Sequence, residues 1–130
     1  MTGRVVHFEL PFDDRDRATG FYRDVFGWTL QDMPGLDYVG ALTGPLGPDG
    51  RPSEPGYIGG AMTSRGGVNA APLVTLEADD IDATLAEVAA RGGEVLQERF
   101  PIGDMGFAAY FRDPEGNVVG LWQGAAPAAG

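Results

Sequence analysis

The 130-residue chain contains no cysteine. Disulfides, thiolate nucleophiles, iron–sulfur clusters and cysteine-based zinc sites are therefore excluded. It contains one histidine, His7, so a site that takes two imidazoles from one chain, such as the facial triad of a non-haem iron oxygenase, cannot be built. Basic residues are scarce: nine Lys and Arg stand against nineteen Asp and Glu, a formal charge of −10. That balance repels a phosphate backbone and an anionic leaflet alike, which makes nucleic acid and membrane surfaces poor partners. No run approaches the ~18 apolar residues of a membrane span, and the first residues lack a signal-peptide pattern, so a cytoplasmic protein is expected.

What remains is sufficient for a core. Hydrophobic residues make up 43% of the chain, with two Trp, four Tyr and seven Phe, and the length predicts one domain over residues 1–124. Residues 125–130 offer little to pack and read as a flexible tail. Residues 4–10 are β-rich and are expected to stop at Pro11, with Val5, His7 and Glu9 on one face and Val6, Phe8 and Leu10 on the other. Asp13 or Asp14 caps an amphipathic helix with apolar positions Ala18, Phe21, Tyr22, Val25 and Phe26, of which Tyr22 and Phe26 are expected to be core, and Gly27 stops it. Strands are predicted at 28–33, 37–43 and 57–63. The intervening loop 44–56, with eight Gly or Pro among thirteen residues, has the composition of a mobile surface flap.

The order then repeats. A strand at 72–78, a helix capped by Asp79 or Asp80 with Ile81, Leu85, Val88 and Ala89 on one stripe, and strands at 94–100, 106–112 and 117–123 follow a connector at 64–71. Shifting the first half by 66 positions places Leu10 on Leu76, Asp14 on Asp80 and Gly27 on Gly93. The prediction is an α+β fold of two βαβββ modules, at about 4–64 and 72–123, whose faces away from the helices form a cleft. Phe107, Ala109 and Phe111 share one face of their strand and Ala108 and Tyr110 the other, and alternation does not decide which set meets the helix.

The tandem repeat, the segment Phe21-Tyr22-Arg23-Asp24-Val25-Phe26-Gly27-Trp28 and the run from Phe111 to Trp122 through Asp113-Pro114-Glu115-Gly116-Asn117 together resemble the vicinal oxygen chelate superfamily. That family includes glyoxalase I, extradiol dioxygenases and bleomycin-resistance proteins. The resemblance covers residues 4–123 and implies a homodimer. It also implies metal ligands on the first and fourth strand of each module. His7 matches the first position, whereas Leu73, Gly60 and Gly120 fall on the other three and offer no side-chain donor. One imidazole does not hold a divalent ion, so no metal and no other cofactor is expected. Glu9 shares the face of His7 and could add a carboxylate to a proton-transfer pair.

The resulting expectation is a metal-free protein binding a planar or cationic small molecule, of the bleomycin-resistance type, with His7, Glu9, Gly60, Leu73, Phe107, Phe111, Gly120 and Trp122 around the ligand. Gly120 beside Trp122 is expected to leave an open apolar volume. The alternative is a glyoxalase-like lyase or isomerase using His7 and Glu9. A third reading is an interaction role with a vestigial cleft. The clustered Asp13, Asp14, Asp79 and Asp80 are read as helix caps and not as a cation site.

Overall fold

The computed structural model describes residues 3–35 and 38–125. It contains β1 (Val5–Phe12), α1 (Arg15–Phe26), β2 (Thr29–Asp32), β3 (Tyr38–Leu42), β4 (Gly60–Ser64), β5 (Leu73–Glu77), α2 (Ile81–Ala90), β6 (Glu94–Ile102), β7 (Gly106–Arg112) and β8 (Val118–Gly124). Eight strands and two helices among the described residues give the α+β fold and the repeated βαβββ order. Of the tail, residues 126–130 lie outside the described residues, and Ala125 donates its N–H to the Met105 carbonyl at 3.0 Å.

The chain divides into two compact units, one from Val6 to Pro72 and the other from Leu73 onward together with residues 3–5. In the first unit β1 pairs with β4 in parallel, and β4 with β3 and β3 with β2 antiparallel. The second unit repeats this pattern: β5 pairs with β8 in parallel, and β8 with β7 and β7 with β6 antiparallel. Residues that start the chain join this unit, since Gly3 donates to Glu77 O at 3.0 Å and Glu77 N–H to Arg4 O at 2.8 Å.

Local chemistry sets the helix starts. The Asp14 carboxylate accepts from Arg17 N–H at 3.0 Å and the Asp80 carboxylate from Ala83 N–H at 3.1 Å, so the two caps keep the 66-residue offset. Gly27 ends α1 at φ 72°, a left-handed conformation that glycine adopts without strain. Two expected boundaries move. Pro11 pairs with Thr63 and β1 runs on to Phe12, because a proline withholds one ladder donor without ending the strand. The strand predicted at 57–63 starts only at Gly60.

The second unit has the better core. Ile81 and Leu85 of α2 pack on Ala78, Ala109 and Leu121, with Leu76, Val95, Phe107 and Phe111 around them. Burial of Ile81 and Leu85 contributes about 1.5–3 kcal/mol each. In the first unit Val39, Ala41 and Met62 are buried on the face of Phe8 and Leu10. The expectation of Tyr22 and Phe26 as core is corrected for Phe26, while Tyr22 is half-buried. Tyr22 stacks on Trp28 at 4.6 Å, and Trp28 leans on Phe8 at 5.5 Å. Phe21, Val25 and Phe26 are 53%, 57% and 60% exposed. At 100° per residue the stripe is roughly 140° wide; Trp28, backed by Phe8, lies against Tyr22, leaves Phe21 and Val25 on the far side, and meets Phe26 only at 6.5 Å between ring centroids.

The loop at 44–56 is fastened and not a loose flap. Leu46 and Pro52 form a β-bridge, the Tyr57 hydroxyl donates to Pro45 O and accepts from Ser53 N–H, and Thr43 Oγ1 donates to Ile58 O at 2.6 Å. The Tyr57 ring lies where a side chain at Gly44 would stand, 2.7 Å from its Cβ position. The Asp113-to-Asn117 segment is likewise a structural turn: the Asp113 carboxylate accepts from the N–H groups of Glu115 and Asn117 and from the Asn117 amide. The Asn117 side-chain bond, followed by its backbone N–H, holds the Asp113 carboxyl below its ordinary range.

Candidate functional site

The register of the first unit decides which side chains share a surface. Glu9 pairs with Ala61, which pairs with Gly40 across β3 and then with Gln31. Tyr38 pairs with Thr63. Paired residues project to the same side of a sheet and alternate along each strand, so His7, Glu9, Ala61, Gly40 and Tyr38 lie on one face, opposite the Phe8 face that meets α1. Small residues separate the polar ones: Ala61 and Gly40 form the strip between Glu9 on β1 and Tyr38 on β3. Met33 reaches back over Gly40, its sulfur 3.6 Å from the Cβ position.

Electrostatics couple this set. Burial pushes the His7 imidazole below its ordinary value, and the Glu9 carboxylate opposes that shift by favouring the cation. Burial pushes the Tyr38 phenol above its ordinary value, and Glu9 adds to the shift. The face thus presents an imidazole held toward its neutral form and a phenol held toward its protonated form, beside the Glu9 carboxyl group. Asn69, on the segment after β4, donates its side-chain N–H to Glu9 Oε1 at 2.8 Å. Such a set can bind a hydrogen-bond donor or a cation through Glu9. It also pairs a base with a protonated phenol, the elements of proton transfer next to a carbonyl.

The sequence places His7 and Glu9 on this face by alternation, and it does not point to Tyr38 or Asn69 as their neighbours. Tyr38 is two strands away and Asn69 sixty residues away from Glu9, and neither relation has a local signature. Gly60 is corrected. It pairs with Phe8, on the α1 side of the sheet, and a Cβ there would stand 2.5 Å from Phe8 O and 2.6 Å from its ring. The residue beside Glu9 on β4 is Ala61.

The remaining predicted residues lie in the second unit. Leu73, Thr75 and Glu77 alternate onto one face of β5, and Thr75 pairs with Gly120, Glu77 with Trp122. Leu73 is buried and Trp122 half-buried on this face, away from α2. Phe107 and Phe111 are corrected: both pack against the α2 cluster, on the opposite side from Trp122, because Ala109 between them is the residue that α2 covers. An open groove of about 390 Å³ on that helix side runs past Thr84, Val88, Phe111 and Pro114. The open volume expected at Gly120 is also corrected. A Cβ there would stand 2.7 Å from Thr75 Oγ1 and 3.4 Å from Tyr110 Cε1, so neighbouring side chains already fill the space. The Thr75 hydroxyl is buried and has no hydrogen-bond partner among the described residues.

The donor chemistry does not fit a resident divalent ion. The face of the first unit offers one imidazole and one carboxylate, with Ala61 and Gly40 beside them. Leu73 and Gly120 add no donor in the second unit. Among the described residues no three His, Asp or Glu side chains come together, and a catalytic ion is held by about three protein ligands.

Residues 4–44 match a family model described as bleomycin resistance protein-like N-terminal. The chain is 32% identical over 122 residues to the putative glyoxylase CFP32 of Mycobacterium bovis, covering 88% of this chain but only 43% of that protein's length. It is 31% identical over 138 residues to a probable lactoylglutathione lyase of Vibrio parahaemolyticus, covering 98% of this chain and 96% of that one. Among solved structures it resembles the methylmalonyl-CoA epimerase of Streptomyces coelicolor with a TM-score of 0.65 at 19% identity, over 97% of this chain and 100% of that one. That likeness shows the fold alone.

Proposed function

The chain belongs to the vicinal oxygen chelate superfamily, and from that premise we propose that it binds a small planar or cationic molecule on the His7–Glu9–Tyr38 face without a resident metal. The observation that carries this reading is the pairing of a Glu9 carboxylate, held by the Asn69 amide at 2.8 Å, with an imidazole that burial keeps neutral. The face therefore carries negative charge in a chain whose formal charge is already −10, which draws cations and repels polyanionic thiol conjugates. Tyr38 supplies an aromatic surface beside that charge.

Fluorescence titration and calorimetry with metal-free bleomycin and with the planar cation ethidium test the reading. Saturable one-to-one binding that weakens with salt is expected, and Glu9→Gln should weaken it about tenfold or more, the value of one charge-assisted contact. Failure of both compounds to bind, or equal affinity in Glu9→Gln, refutes it. So does a metal content near one per chain that is lost in His7→Ala.

A second reading is favoured by the Glu9–Tyr38 coupling and by relatives named as lactoylglutathione lyases. In it Glu9 removes a proton next to a substrate carbonyl and Tyr38 donates a hydrogen bond to the developing enolate oxygen. Turnover of methylglyoxal with glutathione, abolished in both Glu9→Gln and Tyr38→Phe, would establish it over the binding reading.

The same proposal includes a cytoplasmic homodimer. Exposed Phe21, Val25 and Phe26 on α1 support association through that helix. Sedimentation should give a dimer for the wild type and a monomer for Phe21→Ser with Phe26→Ser, and a wild-type monomer overturns it.

A further inference from the structure

The segment after β4 is fastened at Arg65 and across the turn from Gly66 to Asn69. Arg65 donates its backbone N–H to Phe12 O at 2.9 Å, its Nε to Asp13 Oδ1 at 3.0 Å and its Nη1 to Ala70 O at 2.9 Å. Gly66 and Asn69 exchange backbone hydrogen bonds of 3.3 and 2.9 Å, with Gly67 between them at φ 53°, a left-handed conformation. This turn therefore has a fixed orientation relative to the end of β1. A turn asparagine ordinarily spends its side chain on nearby backbone. Asn69 instead sends its amide to Glu9 Oε1, in a part-buried bond sixty residues away in sequence.

We infer that Asn69 is a positioning residue for Glu9, through which the clamped 65–70 turn helps set the orientation of the carboxylate that meets the ligand. The inference rests on the assignment of Glu9 to the ligand. Asparagine suits this role, since a neutral amide donates to a carboxylate without neutralising its charge, whereas aspartate at 69 would set a second negative group against the first. Arg65 acts one step further out, on the turn and not on Glu9.

The test has a ligand-independent arm. In nitrogen-15 spectra of the intact protein, one Nδ2–H resonance of Asn69 should be shifted downfield and exchange slowly with solvent, and Glu9→Ala should return it to the values of an exposed amide. In the second arm, Asn69→Ala should weaken ethidium binding about tenfold in the wild type and have no further effect in Glu9→Gln. Asn69→Asp should weaken it at least as much. Arg65→Ala should give a smaller loss in the same direction with an unchanged urea midpoint for unfolding. A merely structural role would give the same loss in both Glu9 backgrounds, and that result overturns the inference. An Asn69 amide indifferent to Glu9→Ala overturns it as well. If ethidium fails to bind the wild type, the ligand reading falls and the positioning role with it, while the amide signature still reports whether the Asn69–Glu9 bond forms in solution.

Discussion

Removing the Thr75 hydroxyl should make the protein more stable. Thr75 is 4% exposed, and its Oγ1 is buried without a hydrogen-bond partner among the described residues. An unpaired hydroxyl in such surroundings costs about 1–3 kcal/mol. Thr75→Val replaces it with a methyl group of nearly the same shape and keeps the β-branching that a strand favours, so a gain of about 1–2 kcal/mol is expected. For a chain of this length that raises Tm by roughly 3–8 °C. Urea unfolding at pH 7 should show the midpoint rising with the slope unchanged, the signature of a stability effect with no change in the surface exposed. Gly120 provides an internal check, since a Cβ there would stand 2.7 Å from Thr75 Oγ1. Gly120→Ala alone should cost about 1–3 kcal/mol as overpacking. In a Thr75→Ala background it should cost less, with a coupling of about 1–2 kcal/mol. Destabilisation by Thr75→Val of about 1 kcal/mol or more would refute the reasoning, because the hydroxyl would then have a partner in solution. Equal costs of Gly120→Ala in both backgrounds would refute the packing argument.

Burial holds the His7 imidazole below the ordinary value near 6.5, so below about pH 6.5 the unfolded chain binds a proton that the native state does not. Stability should therefore fall as pH drops from about 6.5 toward the lowered native value, and His7→Leu should flatten that part of a urea-midpoint profile. Gly60→Ala should destabilise by about 2 kcal/mol or more, since its Cβ meets Phe8 backbone and ring at 2.5–2.6 Å. Gly40→Ala, whose nearest atom is the Met33 sulfur at 3.6 Å, should stay within about 1 kcal/mol of wild type in the same assay. Tyr57→Phe removes the hydroxyl that ties Pro45 and Ser53, and limited proteolysis should then cut within 44–56 at a lower protease concentration than in the wild type.

Local features were legible in the sequence and relations between strands were not. Asp14 and Asp80 could be read as caps, and Gly27 as a stop, because a cap involves residues within one helical turn. The face shared by His7 and Glu9 follows from alternation alone. Which face of β7 meets α2 depends on Leu121 and Ile81, distant residues that bury Ala109, and period-two alternation is silent about that. The α1 stripe had the right period, yet its exposure depends on how little of it Phe8 and Trp28 can cover. The contacts of Asn69 with Glu9 and of Thr75 with Gly120 likewise join elements that no spacing rule connects.

The misplacement of Gly60 shows how a single register step changes a functional argument. A parallel pairing is not written in a strand's own residues, and a shift of one position exchanges its two faces. Glu9, paired with Ala61 in the first unit, has its counterpart 66 residues on in Thr75, which is paired with Gly120 on the last strand of the second. Each module thus sets a residue with a polar side chain on the first strand against a small one on the fourth, and neither small residue donates to a metal. The modules then diverge. Glu9 is engaged by Asn69 and coupled to His7 and Tyr38, whereas Thr75 has its hydroxyl buried against Gly120. Equivalent positions of a duplicated scaffold therefore carry a polar, chemically responsive cluster in one copy and a packed, unsatisfied one in the other, which is why the proposed ligand face is assigned to the first module.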